Sequence, residues 1–110
     1  MNKNKDNILT CIGVRFYCRK DEDAFFEWIK KIECISKTSA VGEELYLHIN
    51  ADKINDLDLD DLIGLFYRYK IDMNQLARFL TDDNKEWFYD NEKAFWHKKV
   101  FGTGEIRKNG

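Results

Sequence analysis

Residues 56–80, DLDLDDLIGLFYRYKIDMNQLARFL, decide the fold. Leu59, Leu62, Ile63, Phe66 and Tyr67 recur at the three- and four-residue spacing that lines one face of a helix. Asp56 or Asp58 is the expected N-cap, with the remaining carboxylates over the positive end of the helix dipole. Arg68 and Lys70 close the last turn. Gly64 weakens such a helix by about 1 kcal/mol relative to Ala, a cost that suits a place where another element comes close. Asp72 is the next expected cap. Met73, Leu76, Ala77 and Leu80, joined by Phe79, then form a second apolar stripe. Neither stripe is wide enough to be stable alone, so the pair needs a shared core.

Upstream, the sequence supplies that core. Residues 8–18 alternate, with Ile8, Ile12, Val14, Phe16 and Cys18 on one face and Arg15 and Tyr17 on the other, a strand signal. Asp21 is placed to cap a helix over residues 22–33, whose stripe is Phe25, Trp28, Ile29 and Ile32. Residues 34–40 and 45–50 read as two strands around the turn Val41-Gly42-Glu43-Glu44, with Leu45, Leu47 and Ile49 inward. Residues 50–58 are a polar connection. Downstream, 81–85 is a loop and Trp87-Phe88-Tyr89 is either an edge strand or a helix start. Asp90 caps an expected helix over 91–100, ended by Gly102.

The architecture is therefore α+β. A small antiparallel sheet of three or four strands packs against the helical pair and two further helices. Leu59, Leu62, Ile63, Phe66, Leu76 and Leu80 face the sheet. At 110 residues, residues 1–110 suit a single domain, with a frayed 1–7 and a flexible, basic 103–110.

Charge narrows the function. The formal net charge is −2, so the global positive field of a nucleic-acid binder is missing. The distribution is uneven. Residues 1–49 balance, residues 50–92 carry eleven acids against five bases, and residues 93–110 carry five bases against one acid. No apolar run reaches the roughly 20 residues that span a bilayer. Three cysteines, Cys11, Cys18 and Cys34, have no Cys-x-x-Cys spacing, which with no signal peptide suits free thiols in a reducing cytosol.

Catalytic and metal signatures are missing. Asp56, Asp58 and Asp60 alternate as in a calcium loop, but the sixth position is Asp61 where glycine is needed. The twelfth is Tyr67 where a bidentate glutamate is needed. His48 and His97 have no ligand-spaced partner and read as ordinary structural histidines. No glycine-rich phosphate loop, zinc-binding helix or nucleophile elbow occurs. We expect no catalytic residue, no metal and no cofactor.

Binding is the more natural task. Asp56, Asp58, Asp60 and Asp61, with Asp82, Asp83, Glu86 and Asp90, are the expected partner-binding residues. They would form an acidic face that steers a basic partner into place. Tyr67, Tyr69, Trp87, Tyr89 and Trp96 are candidate anchors beside it.

Three segments carry a family likeness. They are Leu45-Tyr46-Leu47-His48-Ile49-Asn50; Asp61 through Met73, on to Leu76 and Phe79; and Trp87-Phe88 with Phe95 through Gly102. Over roughly the C-terminal half, the chain resembles small cytosolic immunity proteins of bacterial polymorphic toxin systems, notably contact-dependent growth inhibition. The resemblance implies a non-enzymatic protein that binds and neutralises a cognate toxin domain, often a nuclease. Such toxins are commonly basic because they engage phosphates. An acidic inhibitor would cover the active or substrate-binding site. It would have no direct contact with nucleic acid or membrane, and would be a monomer or weak homodimer when free. The alternatives are a small cytosolic adaptor or regulatory module without a toxin partner, and a small enzyme using His48 or His97.

Overall fold

The computed structural model describes residues 7–102. It is α+β: a three-stranded antiparallel sheet with several helices. In chain order these are β1 (Ile8–Ile12), α1 (Arg19–Lys31), β2 (Ile35–Val41), β3 (Glu44–Ile49), a 3-10 turn (Ala51–Lys53), α2 (Asp56–Arg68), a 3-10 helix (Met73–Phe79), α3 (Lys85–Phe88) and α4 (His97–Phe101). The chain divides into two compact units between Ile71 and Asp72. The expected frayed and flexible ends fall on 1–6 and 103–110, outside the described residues, except for Asn7.

In the first unit β3 is central, so the sheet order is β1-β3-β2. Leu9 faces Leu47 and Cys11 faces Leu45 across β1 and β3. Leu9, Cys11 and Leu47 are buried, whereas Ile12 is 63% exposed. The period-two reading of 8–18 was therefore right in kind and wrong in phase and length. A one-residue slip exchanges the two faces of a strand, and the register with β3 puts Leu9 and Cys11 inward. Gly13, at φ 69°, ends the strand, and residues 14–18 leave the sheet.

The β2–β3 hairpin turns through Gly42-Glu43. Gly42 has φ 62°, the backbone that a II′-type two-residue loop requires at its first position. A bulge at Ser36 shifts the register between Ile35 and Lys37. All five residues of β2 beyond that bulge, Lys37 to Val41, are exposed, as an edge strand permits.

Helix α1 begins earlier than expected, with Cys18 as N-cap and no side-chain capping bond. Asp21 lies in its first turn, where Oδ2 accepts from the Tyr17 N–H at 3.0 Å. Phe25, Ile29 and Ile32 are buried, and Trp28 is half-buried. Helix α2 occupies the predicted span, but its cap is Asn55, whose Oδ1 accepts from the Asp58 N–H at 2.9 Å. Leu59, Leu62, Ile63 and Phe66 are buried as predicted, and so is Leu65. Gly64 does accommodate a close neighbour: a Cβ there would lie 3.4 Å from Trp28 Cζ2.

The end of α2 is a Schellman cap built on an unusual residue. Ile71 N–H donates to Phe66 O at 2.9 Å and Lys70 N–H to Tyr67 O at 3.4 Å. Lys70 sits at φ 59°, where glycine is usual.

The second unit begins on Asp72, whose Oδ1 accepts from Asn74 N–H as expected of a cap. The element that follows is 3-10 rather than α. Its three-residue turn explains why Met73, Leu76 and Phe79 are buried while Leu80, inward on a 3.6-residue period, is exposed. Asn84, buried, ties the next loop together. Its Oδ1 accepts from Thr81 N–H at 2.8 Å and its Nδ2 donates to Phe79 O at 2.9 Å. Trp87 and Phe88 lie in α3, with Tyr89 as C-cap. The helix expected over 91–100 shortens to α4, with Asp90 outside it; Gly102, at φ 79°, is its C-cap. Asn74 Nδ2 donates to Val100 O at 2.9 Å, joining α4 to the 3-10 helix.

Candidate functional site

The first two turns of α2 hold the densest acidic cluster of the first unit. Asp56, Asp60 and Asp61 are exposed there. Leu57, Asp60 and Asp61 stand at i, i+3 and i+4, one helix face. Leu57 is 75% exposed, an apolar side chain among carboxylates that the periodicity of the inner stripe did not reveal. The Asp61 carboxyl is raised from its ordinary value, first by desolvation and then by the charges of Asp60 and Asp58. Like charges are thus held together at a cost that an approaching cation would relieve.

Asp58 does not belong to this face. It is only 7% exposed, and its Oδ2 is buried without a hydrogen-bond partner. It lies by the Cys34 thiol, which is pushed up to about 12 by burial first and by the Asp58 charge and hydrogen bond next. As the third helical residue, Asp58 is turned inward by the same geometry that lets its N–H meet Asn55.

In the second unit Asp82, Asp83 and Glu86 are exposed around the start of α3. Asp90 is exposed too, but Lys85 Nζ lies 3.4 Å from its Oδ2. Tyr89 is 44% exposed and Phe95 64% exposed, while Trp96 is buried. Of the candidate aromatic anchors in the first unit, Tyr67 is 43% exposed. Tyr69 is half-buried, with its ring 4.8 Å from Phe25 and its hydroxyl donating to Asp21 Oδ1 at 3.0 Å.

Each histidine has a ring nitrogen against a polar partner. His97 Nε2 donates to the Tyr89 carbonyl at 2.8 Å, which commits that nitrogen. His48 Nε2 lies 3.0 Å from Ser39 Oγ on the open face of the sheet, with no carboxylate bonded to its other nitrogen among the described residues. Among the described residues no three His, Cys, Asp or Glu side chains are grouped to hold a metal ion. No helix there is long and apolar enough to cross a membrane. All three cysteines are free, Cys11 and Cys34 buried and Cys18 exposed.

Comparison of the chain with protein-family models, with curated proteins and with solved structures finds no match.

Proposed function

We propose that the protein acts by binding. In this reading it is an immunity protein that neutralises a cognate toxin domain, a basic nuclease, by covering its active or substrate-binding site. The observation that carries the reading is the crowding of Asp56, Asp60 and Asp61 around exposed Leu57, with the Asp61 carboxyl raised by desolvation first and by the charges of Asp60 and Asp58 next. Exposed carboxylates held against their own repulsion favour a cationic partner and speed its approach. Leu57 and Tyr67 add apolar contact on α2. Asp82, Asp83 and Glu86 give the second unit exposed carboxylates of its own, and the segments that resemble immunity proteins point to a toxin partner.

The deciding experiment is co-purification with the product of the adjacent upstream gene, followed by association kinetics. The Asp60→Lys/Asp61→Lys variant should associate about tenfold more slowly or worse at low salt, with less difference at high salt. Its thermal melt should match the parent's, because both side chains are exposed. If the neighbouring product is no toxin and nothing basic co-purifies, the reading fails. Unchanged kinetics in the variant would remove α2 from the interface.

A further inference from the structure

The opposite end of α2 has the opposite charge. Arg68 and Lys70 at that end, Arg15 after β1 and Lys20 in the first turn of α1 line one cleft of about 810 Å³. All four are exposed, and among the described residues none is in an ion pair. The one carboxylate lining the cleft, Asp21, is already engaged by the Tyr69 hydroxyl and the Tyr17 N–H. Four uncommitted cations therefore converge on a concave surface of a protein whose net charge is negative. Solvated surface cations ordinarily spread apart; a cleft that gathers them focuses positive potential inside it.

We propose that this cleft binds a small polyphosphate ligand of the nucleoside di- or triphosphate class. Its volume falls in the range of roughly 300–1,000 Å³ usual for small-ligand sites. Two guanidinium groups offer paired donors that fit phosphate oxygens, and two ammonium groups add point charge. Tyr17, 81% exposed on the cleft wall, presents a ring on which a base can stack. A polynucleotide fits less well: the cations ring one concavity instead of tracking along a stripe, and the chain lacks a global positive field. The cleft is distinct from the acidic turns of α2, so this site and the proposed partner face stand or fall separately.

The test is a titration of the full chain, followed by amide chemical shifts, with ATP, pyrophosphate, adenosine, an oligoglutamate peptide and a single-stranded oligonucleotide. ATP and pyrophosphate should shift the same amides, those around Arg15, Lys20 and Arg68 to Lys70, and adenosine should not. Arg68→Gln should weaken ATP about tenfold, as expected for the loss of a charged hydrogen bond. Tyr17→Ala should weaken ATP and leave pyrophosphate unchanged. Lys70→Gly separates binding from folding: it removes the charge but relieves the left-handed backbone, so ATP should bind more weakly to a protein at least as stable. ATP should also slow alkylation of Cys18, whose exposed thiol lines the cleft. Absence of ATP-dependent shifts at millimolar ligand overturns the proposal, as do shifts that map elsewhere. Tighter binding of the peptide or the oligonucleotide than of ATP would assign the cleft to a macromolecule and overturn it equally.

Discussion

Residues 7–71 and residues 72–102 are stabilised in different ways. The first stretch has strand pairing between distant segments and two helices of 13 residues each. Its apolar periodicity and its backbone ladders agree. In the second stretch the longest element is a seven-residue 3-10 helix, and α3 and α4 have four and five residues. Helices that short do not hold themselves in water. Polar side chains supply what the backbone cannot: Asn74 reaches Val100 O, Gln75 reaches Asp72 O, Asn84 reaches Phe79 O and His97 reaches Tyr89 O. Regular structure is stabilised by repetition, and irregular structure by a few individual bonds.

The sharpest way to break that contrast is to compare two asparagines. Asn84→Ala would remove both bonds of a buried side chain, leaving the Phe79 carbonyl and the Thr81 N–H without that partner. We expect a loss of about 3 kcal/mol, because stranded buried groups cost more than a bond is worth. Asn55→Ala removes one capping bond from a long helix, and about 1 kcal/mol is expected. Urea midpoints of both variants check the order. Equal losses would mean that the second stretch does not depend on its polar knots.

The same contrast governs what could be read from the sequence. The α+β class, helix α2, the β2–β3 hairpin, the Asp72 cap and the Gly102 C-cap all follow from periodicity or local turn chemistry. The phase of β1 does not, because Ile8, Leu9, Cys11 and Ile12 are apolar on both faces and only the register with β3 chooses between them. Leu80 falls outward because a 3-10 helix repeats every three residues, and nothing in Met73–Phe79 separates that from 3.6. The acidic turns of α2 were visible as composition, but Asp58 turns inward on a cap made by Asn55, the residue just before the acidic run. The basic cleft has no local signature: Arg15, Lys20, Arg68 and Lys70 come from three separate places in the chain, and alternation alone puts Arg15 on a strand that ends at Ile12.

A second difference is chemical. Cys11 and Cys34 lie in the first stretch, and both are pushed from 9.0 up to about 12, Cys11 by burial and Cys34 by burial and Asp58. A raised pKa means that the folded state holds the proton more tightly. The stabilisation is complete below pH 9 and is lost as pH rises towards 12. At about pH 10.5 the loss should be on the order of 2 kcal/mol per thiol. Cys11→Ala and Cys34→Ala should each flatten the decline of the urea midpoint between mildly and strongly alkaline buffer, whatever they do to stability at neutral pH. An unchanged slope in both variants would show that these thiols are not what links pH to folding. Residues 72–102 hold no cysteine, so Trp28 fluorescence should follow this change more closely than that of Trp87 and Trp96.

The smallest effect tests how much slack the regular stretch retains. Gly64 lies inside α2, where alanine is favoured by about 1 kcal/mol through backbone entropy alone. An added Cβ would meet Trp28 Cζ2 at 3.4 Å and Cη2 at 3.8 Å, ordinary van der Waals distances. It would meet the far end of a half-buried side chain, which can shift by tenths of an ångström without disturbing backbone. We therefore expect Gly64→Ala to raise the midpoint by up to about 1 kcal/mol, as the propensity difference predicts. Trp28 emission should change slightly, reporting the new contact. A destabilised variant would mean that the indole cannot yield, so that α1 and α2 are as tightly specified at this one contact as the Asn84 loop is by its bonds.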